Sequence, residues 1–313
     1  MAEVIKKATR EGYGSGLIKL GQLHDDFVVL DADLAAATKS GAFKKEFPER
    51  FYDCGIAEQN MMGIAAGIAA TGKKVFASSF AMFAAGRAFE QIRNSIGYPH
   101  LNVKVCATHA GISVGEDGAT HQCNEDIAIL RTIPGMVIIN PADAVEAEKA
   151  MLALYDYEGP SYARFGRLAV PVIFDDDYKF EIGKSVELKS GNDITIIATG
   201  LLVAEALEAY ELLKADGINA RIINMATIKP LDTEAVLKAA KETGIIITAE
   251  EHSVIGGLGS AVSEYLAEEY PTKVIKMGVH DVFGYSGPAP KLLDAFGLRA
   301  VNIAETAKKA LGK

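Results

Sequence analysis

Short apolar runs alternate with longer stretches of helical periodicity along this 313-residue chain. FVVLDAD (27–33), KVFASSF (74–80), VKVCAT (103–108), MVIIN (136–140) and PSYARF (160–165) are apolar enough to predict buried strands. Between them, 58–71 and 142–155 are rich in alanine and methionine and predict helices. NPAD at 140–143 has the composition of a helix start, and Gly72 follows a helix as a C-terminal stop should. Strands alternating with helices predict an α/β fold around a parallel sheet.

The pattern pauses over 171–191, which carries the acidic run Asp175-Asp176-Asp177 and ends in KSGND, as a linker would. It then restarts with DITIIATG (193–200), a helix near 201–215, NARIIN (219–224), a helix from Thr233 and GIIITAE (244–250). A turn at Gly256-Gly257-Leu258-Gly259 opens another helix, and VIKMGV (274–279) closes the series. Two α/β domains of unequal size are expected, 1–170 and 192–313. Internal repeats and low-complexity segments are absent from the sequence.

Composition narrows the chemistry. A hydrophobic content of 49% and a charged content of 23% are those of a soluble globular protein. The 32 basic and 41 acidic residues give a net charge of −9, which argues against a nucleic-acid partner. MAEVIKKATREGYG places charges where a signal peptide needs an apolar core, and no run is long and apolar enough to span a membrane. A cytoplasmic protein without a membrane partner is therefore expected. Cys54, Cys106 and Cys123 are too few for a disulfide framework. Cys106, His109, His121 and Cys123 form a C-x2-H…H-x-C series, but without the paired spacing of zinc sites. No metal ligands are expected in this chain.

Three stretches carry candidate chemistry. In DCGIAEQNMMGIAAGIAATG (53–72), Glu58 opens a helix otherwise made mostly of small or apolar residues. The helix N-terminus favours a carboxylate there, yet acids are also common in exposed first turns. Gly63, Ala66, Gly67 and Ala70 permit close packing and hint at a subunit interface. In SSFAMFAAGRAFEQIR (78–93), Phe80 and Phe83 share one helix face, as core or as pocket wall. In THAGISVGEDGATHQ (108–122), glycines separate His109, Asp117 and His121, so one loop could converge them on a polyhydroxylated ligand or stand as a solvated turn.

Together these stretches resemble the C-terminal half of transketolase, a thiamine-diphosphate enzyme. GIAEQ (55–59) is similar to the segment carrying the family's activating glutamate, and SSFAMF (78–83) to the segment that stacks the cofactor's aminopyrimidine. GEDGATHQ (115–122), preceded by His109, resembles the sugar-binding loop. EEHS (250–253) followed by GGLGSA (256–261) resembles the family's C-terminal domain. The likeness runs from about Arg10 to the C-terminus. It implies a pyrimidine-binding domain with a mainly parallel sheet flanked by helices, then a smaller α/β domain.

The resemblance also implies roles. Glu58 would hydrogen-bond the pyrimidine N1′, with Phe80 and Phe83 flanking the ring and Asp33 close to the cofactor. Arg10, His109 and Arg164 would bind the substrate phosphate, Asp117 would read a hydroxyl, and His121 would contact the reacting oxygen region. Glu58 and His121 would be the catalytic pair.

Three departures from the family stand out. Gly86 replaces a pocket tyrosine, and Ala37 replaces a phosphate-binding serine, with Thr38 and Ser40 as possible substitutes. The chain also lacks the GDG motif and asparagine that hold Mg2+ and the diphosphate. The resemblance thus implies one subunit of a split transketolase of the pentose phosphate pathway. It would move a two-carbon ketol unit from a ketose phosphate to an aldose phosphate, with a separate N-terminal subunit holding Mg2+ in an α2β2 heterotetramer. The second half of 1-deoxyxylulose-5-phosphate synthase shares IAEQ and the GEDG-THQ loop, but carries an acid followed by arginine where this chain has His109. The β subunit of a 2-oxoacid dehydrogenase E1 shares the glutamate and should lack the loop. A non-catalytic binding or regulatory subunit with the same fold is the remaining alternative.

Overall fold

The computed structural model describes residues 5–313. The first half contributes strands β1 (Lys6–Ala8), β2 (Phe27–Asp31), β3 (Phe51–Asp53), β4 (Lys74–Phe80), β5 (Val103–Thr108), β6 (Val137–Ile139), β7 (Ser161–Arg164) and β8 (Ala169–Pro171). The second half adds β9 (Val186–Lys189), β10 (Ile194–Ala198), β11 (Ala220–Asn224), β12 (Thr227–Lys229), β13 (Ile245–Ser253) and β14 (Lys273–Val279). Seven strands form one sheet in the order β12-β6-β7-β5-β4-β2-β3, parallel except at β12. Five form a second sheet, β14-β13-β10-β11-β9, parallel except at β9. β1 and β8 pair antiparallel, joining the start of the first domain to its end.

Strand alternation builds the first core. Along β2, Phe27 and Val29 face a layer with Tyr13, Leu17 and Phe43, while Val28 and Leu30 face Met61, Met62 and Ala65. The helix Ala144–Asp156 begins at Asp143, whose Oδ1 accepts from the Glu146 amide at 2.8 Å. Cys106 packs on one side of the sheet and Cys123 on the other, so the thiols that bracket the C-x2-H…H-x-C series lie in different cores.

Phe80 ends β4 and only Phe83 lies in the helical turn after it, so the two do not share a helix face as expected. Two further elements also differ from the pattern reading. β9 lies inside the stretch that reads as a linker, and β12 leaves the second domain to extend the sheet of the first, antiparallel to β6. β12 spans three residues and β9 four, too short for apolar periodicity to register, and each sits at a sheet edge. β12 fastens the two domains at the backbone level. Among the described residues, no helix is long and apolar enough to cross a membrane.

Candidate active site

Segments leaving the C-terminal ends of β2, β4 and β5 line one cleft, the usual ligand position in a parallel α/β sheet. Glu58 is the first residue of the helix Glu58–Ala69, and its side chain is buried. Its Oε2 accepts from Arg87 Nη1 at 2.7 Å, while Oε1 has no hydrogen-bond partner among the described residues. Arg87 ends the wide, π-helical turn Met82–Arg87 and lies over the Phe83 ring, Cζ 4.7 Å from its centroid. Phe80 and Phe83 have nearly parallel rings with centroids 6.1 Å apart. The His121 ring meets Phe83 edge-on at 5.2 Å, and its Nδ1 lies 2.9 Å from Thr120 Oγ1.

The Phe80 ring is buried beneath His109, with centroids 3.8 Å apart. His109 takes a left-handed backbone conformation, φ 56°, which turns its ring back over the end of β4. Arg10 Nη1 donates to Ala37 O at 2.8 Å and reaches His109 Nε2 at 3.3 Å. An arginine only donates, so Nε2 accepts and the proton sits on Nδ1, which bonds the Thr108 hydroxyl at 2.8 Å. Burial first, then Arg10 and Arg167, push the imidazole pKa down to about 3. His109 is therefore neutral between two cations. Burial and Arg167 also lower the Arg10 pKa, so two guanidinium groups share one pocket and favour an anion there.

Arg164 is not part of this pocket. Its Nε donates to Asp126 Oδ2 at 2.8 Å, and its Nη2 to the carbonyls of Glu251 at 2.8 Å and Cys123 at 3.3 Å. Tyr162, two residues earlier on β7, points to the same buried side and donates to the same Asp126 oxygen at 2.6 Å. Arg167, just past the strand, faces the cleft instead, donating to Val114 O and to Glu116 Oε2 at 3.2 Å.

Thr38 and Ser40 are also committed elsewhere, each donating to Asp31 Oδ2 at 2.8 Å. Asp31 is buried and its pKa is pushed up to about 6 by that burial, against the pull of Thr38, Leu34 and Ser40. Asp33 is exposed at φ 61°, its amide donating to Asp53 Oδ1 at 3.1 Å. Asp117 is exposed on the loop, with no hydrogen-bond partner among the described residues.

The fold thus joins Glu58, Phe80, Phe83, His109, His121 and Arg10 into one continuous surface. Sequence reasoning missed Arg87 and Arg167. Arg87 stands four residues after Phe83, a spacing that puts it beside that ring. A side chain at Gly86 would run into the Met82 methyl, so Met82 fills the room a tyrosine there would take.

The sequence model of the transketolase pyrimidine-binding domain matches residues 5–172, and that of the transketolase C-terminal domain matches 183–303. Over 312 residues the chain is 51% identical to a transketolase C-terminal section of Methanocaldococcus jannaschii, covering 99% of this chain and 98% of that one. It is 42% identical over 307 residues to an apulose-4-phosphate transketolase subunit from Phocaeicola vulgatus, 98% of each. The solved structure of a split-gene transketolase, described as an inactive β4 tetramer, matches with a TM-score of 0.91 and 53% identity. That match covers 97% of this chain and 98% of the other.

Proposed function

Because this chain belongs to the transketolase family, as the C-terminal section of a split enzyme, we propose that it carries the pyrimidine and sugar sides of a thiamine-diphosphate site. With a separate N-terminal subunit it transfers a two-carbon ketol unit from a ketose phosphate to an aldose phosphate. The observation that carries this reading is Glu58, a buried carboxylate at a helix N-terminus with one oxygen unpartnered, bonded to the arginine that lies over the Phe83 ring. The free Oε1 suits a proton shared with the ring nitrogen of an aminopyrimidine, and Phe83 offers a neighbouring aromatic wall. When bound, the cofactor supplies the carbon nucleophile and electron sink for cleaving the bond beside the ketose carbonyl.

The chain's own residues do the rest. Glu58 shares a proton at the pyrimidine ring nitrogen, while Arg87 holds its second oxygen. His121 has Nδ1 engaged with Thr120, which leaves Nε2 to exchange a proton with a substrate oxygen. Arg10 and Arg167 bind the substrate phosphate, and neutral His109 orients the Arg10 side chain by accepting from its Nη1. Asp117 reads a sugar hydroxyl from the exposed loop. Asp33 contributes to the cofactor's surroundings from the rim. Mg2+ and the diphosphate fall to the N-terminal subunit in an α2β2 assembly. An open face at Gly63 and Gly67, flanked by exposed Ile56 and Ile64, supports contact with another subunit.

The test combines this chain, the N-terminal subunit, Mg2+ and thiamine diphosphate, and follows ketol transfer from xylulose 5-phosphate to ribose 5-phosphate. Transfer is expected, and Glu58→Ala is expected to reduce it by at least about 10²-fold without preventing co-sedimentation with the partner. A chain that binds its partner and yet transfers nothing from any ketose phosphate would be a binding module instead.

A further inference from the structure

The glycine-rich loop serves the cleft of the first domain, yet it is fastened from the second. Ile112 is fully buried in the second domain's core with Leu202, Leu292 and Leu293. The next residue, Ser113, donates its backbone N–H to Glu251 Oε1 of β13. Gly111, at φ 79°, leaves no room for a side chain, because a Cβ there would run into the Glu251 carboxylate. At the other end of the loop, Gln122 Nε2 donates to Ile112 O at 3.1 Å and to Tyr285 O at 3.0 Å. Glu251 is held in turn, its carbonyl accepting from Arg164 at 2.8 Å while Arg164 is locked to Asp126. Glu251 is 3% exposed, and its carboxylate bonds the Ser113 amide and makes no hydrogen bond to Glu58, Asp117 or His121.

We propose that Glu251 is a positioning residue, which fixes the Gly111–Ser113 turn from the C-terminal domain and so sets how far Asp117 and His121 reach toward a bound sugar. The chemistry is specific. A buried backbone N–H bonded to a carboxylate is a strong, directional anchor, and no other acceptor replaces it when the side chain is cut away. The burial and packing of Arg164 and Asp126 acquire a purpose in the same way, since they hold the strand that carries Glu251. The anchor rests on geometry, while its effect on substrate rests on the reading of the loop as the sugar-binding element.

Two readouts separate those parts. Hydrogen exchange of the full chain should show peptides covering 111–118 exchanging at least about tenfold faster in Glu251→Ala than in wild type. Glu251→Gln keeps an acceptor for the Ser113 N–H and should stay within about twofold of wild type. Gly111→Ala, which pushes the carboxylate away from the loop side, should accelerate the same peptides. In the assembled enzyme, Glu251→Ala should raise KM for the ketose phosphate about tenfold and change kcat by less than about threefold. Thiamine-diphosphate affinity, measured by calorimetry, should be unchanged, and Glu251→Gln should restore KM.

Unchanged exchange over 111–118 in folded Glu251→Ala and Gly111→Ala would overturn the anchor. Equal losses of cofactor affinity and sugar KM would also overturn it, because a general structural defect would then account for both. Faster loop exchange in an assembly whose wild type transfers no ketol unit would support the anchor and count against the proposed activity.

Discussion

Two arginine–carboxylate pairs of nearly equal length have opposite settings. Arg164 and Asp126, 2.8 Å apart, are 4% and 0% exposed; Tyr162 and two backbone carbonyls add hydrogen bonds, and Asp126 Oδ1, without a hydrogen-bond partner among the described residues, faces the buried His252 at 3.9 Å. Arg87 and Glu58, 2.7 Å apart, are 49% and 1% exposed, and the second oxygen of Glu58 is left open. The first pair closes on itself at the seam between domains. The second presents a half-used carboxylate to the cleft. Distance does not distinguish them, and neither does the unpartnered oxygen that each carboxylate keeps; burial of the cation does.

The largest difference should appear in stability. Arg164→Ala strands Asp126 in the seam and is expected to cost about 3–5 kcal/mol by chemical denaturation. Arg87→Ala should cost about 1 kcal/mol or less, because water reaches the arginine and the helix N-terminus still faces Glu58. Equal losses would mean that burial of the cation does not set the worth of these pairs.

A second difference concerns pH. At the seam, Glu146 accepts from Tyr178 Oη and Asn224 Nδ2, each at 2.7 Å, and from the Ala142 amide at 2.7 Å. Burial raises its pKa from 4.5 to about 7, against the pull of those hydrogen bonds. Folding therefore favours its protonated form. That contribution is fully present below pH 4.5 and is lost as pH rises through about 7. Glu251, raised to about 7 mainly by burial, acts with the same sign. Urea midpoints across this window should show wild type losing about 3 kcal/mol relative to Glu146→Gln. A constant gap between the two proteins would exclude Glu146 as the group responsible.

The smallest expected effect belongs to the cleft. Arg167→Ala should raise KM for a phosphorylated ketose about tenfold, or about 1.4 kcal/mol, and change stability by less than about 0.5 kcal/mol. His109→Ala should likewise raise KM more for phosphorylated than for unphosphorylated sugars. If both substrate classes weaken equally, neither residue recognises phosphate.

YARFGR illustrates how far the sequence could be read. Both arginines suit a phosphate, and the choice between them turns on strand alternation. Tyr162 and Arg164 share the buried side of β7, whereas Arg167 lies beyond its end. A buried aromatic two residues earlier was the available signal. Asp31 and Asp33 pose the same problem in DAD, and again the member inside the strand is buried while the one beyond it is exposed. No local signal announced Glu251 as the anchor of a loop more than a hundred residues away.

The order of strands and helices is written into the chain, because apolar periodicity is a local property. KVFASSF and VKVCAT occupy the strands they predict. Family membership is legible in the same way, because GIAEQ, SSFAMF and GEDGATHQ occur in one chain in that order. Which arginine faces the cleft, which oxygen of Glu58 is free and what holds the loop were settled by the packing of the two domains. Those outcomes depend on burial and on hydrogen bonds between distant segments, and neither is set by neighbours in the chain.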